Sequence, residues 1–186
     1  MQARRKPRRT RAVREDIRER LLEAALAEFG AKGFDGASTH AIARRIGAHQ
    51  PQINYHFASK EALWTAAVDH LFAELARAMD GLAIPRRRAA ADASEIVPVF
   101  AEMIGRFVRF AARHPELNQI MVHEATAASG RLAWMTERYV KPLYDTVRPL
   151  WRRLRAAGIA APIDDRLFHY VMVGAASLLY LSLIHI

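Results

Sequence analysis

The feature that most constrains this chain is a glycine between two short apolar patterns. Between Ser38 and Phe57 the sequence reads STHAIARRIGAHQPQINYHF. Ile42, Ala43 and Ile46 share one edge of the first stretch, and Ile53 and Phe57 share one edge of the second. Apolar residues three and four apart mark the inward face of a helix. Ser38 or Thr39 caps the first helix, Gly47 breaks it, and Pro51 suits the first turn of the second. Two short helices around a Gly-containing turn, with a polar outer face on the second, describe a helix-turn-helix.

The flanking segments are helical too. From Val13 to Lys32, Ile17, Leu21, Ala24, Ala25, Leu26 and Phe29 form an amphipathic stripe, with Gly30 and Gly33 as its stop. Phe34-Asp35-Gly36-Ala37 reads as a turn. Ser59 caps a fourth helix with Leu63, Ala67, Val68, Leu71, Phe72 and Leu75 inward. A linker, residues 81–91, carries Pro85 and the arginines Arg86, Arg87 and Arg88. Longer helices follow, over 94–113, 116–127 and 131–157, the last with kinks at Pro142 and Pro149. Asp164 opens a final, very apolar helix. Ala, Leu, Arg and Glu dominate and no β-rich stretch occurs, so the fold class is all-α.

Charge points to a partner. Residues 1–63 carry 13 of the 28 Lys and Arg but 7 of the 19 Asp and Glu. Residues 1–12 alone hold six basic side chains and no apolar period. That segment reads as a flexible arm able to lie along phosphates or in a minor groove. A positive excess concentrated at one end suggests a polyanion, nucleic acid or an anionic membrane. There is no cysteine, which excludes disulfides, thiol catalysis and Cys-ligated zinc. The basic N-terminus lacks an apolar signal segment, so a cytoplasmic location is expected.

The second short helix supplies DNA-reading chemistry. Gln50, Gln52 and Asn54 offer amides that can pair with adenine edges. His49, Tyr55 and His56 offer base or phosphate contacts. Ser38, Thr39 and Lys60 stand at helix N-termini, where hydroxyls, backbone N–H groups and the dipole favour phosphate.

Ser38-Thr39, Ile42-Ala43, Gly47 and INYHFASKEAL (residues 53–63), preceded by AEFGAKGFDGAS, occur in a fixed order. This set resembles the DNA-binding domain of the tetracycline-repressor (TetR) family of bacterial regulators, over residues of about 14 to 75. The resemblance implies a phosphate-touching cap at Thr39 and a recognition helix over residues 50–56. Gln50-Pro51 is similar to the pair in the family's namesake, where the Gln reads a base. The resemblance also implies phosphate contacts at Tyr55, at His56 in place of the commoner Tyr, and at Lys60. Ala48 and His49 stand where Val and Ser are usual, and Asn54 where Tyr is usual. These departures leave the operator sequence open.

The remainder, with HPELNQIMVHEA, RYVKPLYDTVRPLW and GIAAPIDDRLFHYVMVGAASLLY, is similar to the family's variable half. There the resemblance implies a helical bundle around an effector cavity and a dimer interface built from the last two helices. Met103, Phe107, Phe110, His123, Trp134 and Tyr139 are the candidate pocket residues, with ordinary core packing as the alternative. The expected organisation is an arm over 1–12, a DNA-binding domain over 13–75 with its motif at 38–57, and an effector-binding and dimerisation domain over 76–186. The family continues through one more long helix, and LSLIHI (residues 181–186) is what a widely used transposon sequencing adapter encodes. The expectation is therefore a chain cut short, with 181–186 foreign to it.

Other chemistries find little support. His123-Glu124 lacks the second His of a zinc-protease helix, because position 127 is Ala127. No His follows a Glu by three residues, as a di-iron bundle requires. Gly30, Gly33 and Gly36 lack the Lys-Ser/Thr of a phosphate loop, and no Gly-x-Ser-x-Gly elbow occurs. No catalytic residue, metal site or cofactor is expected. The last helix is long enough to span a membrane, but nothing basic follows to anchor it, so no membrane is expected. The expected partners are an operator duplex, a second copy of the chain and a small-molecule effector. A charge-driven nucleic-acid or membrane binder and a helical enzyme are the competing readings.

Overall fold

In a computed structural model, residues 9–82, 93–127 and 129–183 are described. Among them there are helices and no strands. Most of the arm (residues 1–8), the linker arginines Arg86–Arg88 and the final residues 184–186 lie outside the described residues. The chain forms two compact units, Met1–Leu71 and Phe72–Ile186. The expected domain break after residue 75 and this division after Leu71 both fall within one helix, α4.

The first unit contains α1 (Arg9–Gly36), α2 (Thr39–Arg45), α3 (Gln50–His56) and the first part of α4 (Lys60–Ala78). Helix α1 begins before Val13 and passes through Gly30. It breaks at Gly33, whose φ of 68° and ψ of 175° are not helical. Residues 34–36 then add a helical turn where an open turn was expected. Gly33 stops the stripe because it can take a conformation that a side chain would resist.

Helices α2 and α3 have seven residues each, too short to persist alone in water. They persist because Ile42 and Ile53 are essentially fully buried, with Phe29, Leu63 and Trp64. Each such aliphatic side chain contributes about 1.5–3 kcal/mol on burial. Both predicted caps form. Ser38 Oγ accepts from the Ala41 N–H at 3.4 Å, and Ser59 Oγ accepts from the Ala62 N–H at 3.0 Å.

The second unit contains the end of α4, α5 (Ala93–Arg113), α6 (Glu116–Thr126), α7 (Arg131–Met135), α8 (Lys141–Ala156) and α9 (Asp165–Leu183). Its core joins Ile96, Phe100 and Met103 of α5 to Leu150, Trp151 and Leu154 of α8. Phe168 of α9 stacks on Trp151 with ring centroids 3.7 Å apart. The single helix expected over 131–157 is interrupted. Thr136–Val140 is a π-helical turn, just before Pro142. Proline has no N–H to offer the carbonyl of residue i−4, so Pro142 leaves the Arg138 carbonyl without its α-helical partner beside this turn. Helix α8, by contrast, continues through Pro149.

Asp164 caps α9 by accepting from the Arg166 N–H at 2.8 Å. The next residue, Asp165, is buried. Its carboxylate accepts from the Tyr144 hydroxyl at 2.8 Å and from Arg152 at 2.9 Å. These bonds, the tyrosine's foremost, hold Asp165 below the ordinary carboxylate range. Among the described residues, no helix is long and apolar enough to cross a membrane.

Candidate nucleic-acid interface

The turn between α2 and α3 is closed by backbone bonds. Gly47 N–H donates to the Arg44 carbonyl at 3.1 Å, and Ala48 N–H donates to the Ala43 carbonyl at 2.9 Å. Gly47 itself has φ 69°, the left-handed conformation common just past a helix end. Arg20 of α1 reaches across and donates to the Ile46 carbonyl at 3.2 Å. An otherwise orphaned helix-end carbonyl is thereby satisfied.

Glu28 pins α1 to α2 from beneath. Its carboxylate is 2% exposed, lies 2.7 Å from Lys32 Nζ, and lies 3.6 Å from an Arg45 guanidinium nitrogen. The hydrogen bond from Lys32 holds it below its usual pKa against the opposing effect of burial. Arg45 and a backbone N–H at Ser38 add to that lowering.

The amides of α3 do not all face outward. Gln50 is half-buried, and its Nε2 donates to Thr39 Oγ1 at 2.9 Å. Gln52 Oε1 accepts from the His49 N–H at 2.9 Å, closing the helix start. The expectation that both glutamines stand free on the reading face is corrected here. Side-chain amides near a helix start find backbone and hydroxyl partners within the fold before any DNA is present. The residues of α3 exposed to solvent are Pro51, Asn54 and Tyr55, with His49 exposed just before it. Tyr55 is 67% exposed.

A second contribution comes from α1. The Arg14 guanidinium lies 5.9 Å from the Tyr55 ring centre, and that of Arg18 lies 5.5 Å from Phe57. His56 is partly buried beside them. Burial first, and the Arg18 and Arg14 charges next, lower its pKa from 6.5. His56 is therefore neutral near pH 7 and offers a hydrogen bond, not a charge, to a phosphate. Lys60 is also engaged. Its ammonium sits 4.8 Å over the Phe34 ring and donates to the Asp35 carbonyl at 3.2 Å.

In the sequence alone, Arg14 and Arg18 belong only to the general basic excess. Their spacing of four residues puts both on one helical face. That spacing was the available signal, although the helix they face could not be known.

The second unit encloses a cavity of about 230 Å³. Met103 and Phe107 line it. Phe110, His123, Trp134 and Tyr139 are not among its walls. Phe110 is buried against His114, 4.3 Å between ring centres. Tyr139 stacks on Phe72 at 4.2 Å and takes the Trp134 edge at 5.7 Å. These aromatics pack on one another, the ordinary fate of aromatic residues at helical spacing. The polar residues on the walls include Asn118 and His169. His169 lies on the very apolar last helix.

Residues 21–67 match the model of the bacterial regulatory proteins, tetR family. Over these residues the chain is similar to that family. The match covers the C-terminal half of α1, both short helices and the start of α4. A curated relative is the uncharacterized HTH-type transcriptional regulator YdgC of Bacillus subtilis (strain 168), 29% identical over 93 residues, or 50% of this chain and 48% of that one. Another is the HTH-type transcriptional repressor NicS of Pseudomonas putida, 26% identical over 58% of this chain and 47% of that one. The chain thus spans about half the length of these curated relatives.

Among solved structures, the hemolysin II transcriptional regulator HlyIIR shares the fold with a TM-score of 0.67. It has 18% identity, with 92% of this chain and 91% of that one covered. AibR, solved with isovaleryl coenzyme A and operator DNA, also has a TM-score of 0.67. Its identity is 19%, covering 88% of this chain and 85% of that one. The likeness in fold therefore extends well beyond the matched N-terminal residues.

Proposed function

We propose that this chain is a sequence-specific DNA-binding transcriptional regulator of the tetR family. It is a ligand-responsive repressor that works as a dimer on a palindromic operator, in the cytoplasm, without catalysing a reaction. The observation that carries this reading is the solvent face of α3. Asn54 and Tyr55 stand exposed on a short helix whose base is tied down by Thr39, Gln50, Gln52 and buried Ile53. Arg14 and Arg18 border it with positive charge. A rigid helix with a polar outer face and flanking cations suits entry into a major groove.

In a dimer, two such helices would meet successive major grooves about 34–36 Å apart. The cavity of the second unit supports the effector half of the reading. A ligand held there more tightly in one arrangement of the dimer than in the other would change its affinity for DNA. The crystal of AibR with an acyl coenzyme A and an operator gives one precedent for such a pairing within this fold.

The test is selection of duplexes from a randomised pool, followed by affinity measurement at several salt concentrations. The expected product is a palindromic consensus. An Asn54→Ala, Tyr55→Ala double variant loses preference for that consensus and keeps background binding. Equal binding to all sequences, unaltered by the double variant and abolished by salt, would show charge-driven binding instead and overturn the proposal.

A further inference from the structure

The walls of the cavity in the second unit come from α4 to α6, the π-helical turn, α8 and α9, and they are almost entirely aliphatic, aromatic or methionine. Among the described residues, no Lys, Arg, Asp or Glu lines it. Two buried polar atoms on its walls have no hydrogen-bond partner among the described residues, Asn118 Nδ2 on α6 and His169 Nδ1 on α9. Leaving such an atom unsatisfied is costly, so folded proteins rarely keep one without a reason. Here two occur on the walls of a single cavity.

We infer that this cavity holds an uncharged, mainly apolar small molecule that presents one oxygen function to Asn118 and His169. The amide N–H of Asn118 requires an acceptor. A ketone, ester or alcohol oxygen provides one, and an alcohol can also pair with the imidazole. Burial lowers the pKa of His169, so the imidazole is neutral at pH 7 and provides no counter-charge. An anionic or cationic ligand head would lose its hydration and gain no opposite charge from the walls.

Size sets the scale. An apolar cavity of about 150 Å³ in another protein takes benzene, so this one has room for roughly ten non-hydrogen atoms. Four lining methionines, Met79, Met103, Met121 and Met172, can adapt to the outline of the ligand.

The inference rests on reading the second unit as an effector-binding half, but its test needs no DNA. The protein is labelled with ¹³C at the methionine methyls and titrated with 2-decanone, decane, decanoate and decylammonium. The four lining methyls report occupancy, and Met135, buried and not among the lining residues, serves as the reference. The expected order has 2-decanone binding about tenfold tighter than decane, the effect of one added hydrogen bond. The two ions bind more weakly than the ketone.

In Asn118→Leu and His169→Phe the ketone's advantage over decane shrinks toward unity while decane still binds, which also shows that the variants are folded. The proposal is overturned if either ion binds as tightly as the ketone. It is also overturned if ketone and decane bind alike, or if both variants keep the preference. Should a variant fail to fold, the order of affinities in the unaltered protein decides. Release of a selected operator by 2-decanone is a separate measurement. Its absence would count against the regulatory reading and leave the cavity assignment standing.

Discussion

Gln50, the first residue of α3, donates its side-chain amide to the hydroxyl of Thr39, the first residue of α2, across 2.9 Å. One bond thus joins the starts of the two helices that the Gly47 turn connects. Thr39→Val and Gln50→Ala should each lower stability by about 0.5–1.5 kcal/mol, the net worth of a hydrogen bond. The double variant should cost clearly less than the two single losses combined, because both delete the same bond. Urea unfolding of the four proteins measures this coupling, and additive losses would show that the bond is not formed in solution.

Gly47 has φ 69°, and a Cβ added there meets no atom within 4 Å. Gly47→Ala therefore isolates the backbone cost, which should be about 1–2 kcal/mol. Gly130→Ala is the control, since Gly130 lies near α-helical φ (−73°) and also has open space around it. It should be close to neutral. A shift in urea midpoint for the first variant and not the second checks the expectation.

Arg14 and Arg18 border the exposed face of α3. If each contacts a phosphate, Arg14→Gln and Arg18→Gln should each reduce the slope of log affinity against log salt by about one. The preferred sequence should be unchanged. Anisotropy titrations over a range of salt, on matched and scrambled duplexes, separate these effects. A changed consensus would instead give these arginines a base-reading role.

Folding disfavours the charged form of His56, through burial and the neighbouring Arg18 and Arg14. The unfolded chain therefore binds the proton first as pH falls. Stability from this group is intact above pH 6.5 and is lost as pH drops from there through the lower folded value. Arg18→Gln removes one lowering charge, so the His56 pKa should rise toward 6.5 in an NMR titration. A downward shift would contradict the geometry.

Glu28 is held below its ordinary pKa by Lys32 and Arg45. Its contribution is present above pH 4.5 and lost as pH falls through the folded value. Glu28→Gln keeps the shape and removes the charge that both cations face. It should cost about 1–3 kcal/mol at pH 7 and flatten the acid limb of a stability–pH profile. An unchanged acid limb would mean that another carboxylate controls it.

Much of this molecule was legible in one dimension. The stripe from Ile17 to Phe29, the caps at Ser38, Ser59 and Asp164, the break at Gly47 and the all-α class follow from local periodicity and local hydrogen bonding. Those forces act over three or four residues, so the order of residues alone specifies them. The family resemblance was legible for the same reason, since its motifs are short and closely spaced.

What the tertiary structure decided depends on partners distant in sequence. Whether Gln50 faces a duplex or Thr39 depends on how α2 meets α3, eleven residues apart. Arg14 becomes part of the candidate interface only because Tyr55 comes to lie beneath it. In the second unit, packing sent Trp134 and Tyr139 to each other and left His169 of α9 and Asn118 of α6 on the cavity wall. Periodicity reports which face of a helix is apolar. It does not report which part of that face is filled by a neighbour and which is left open to a ligand.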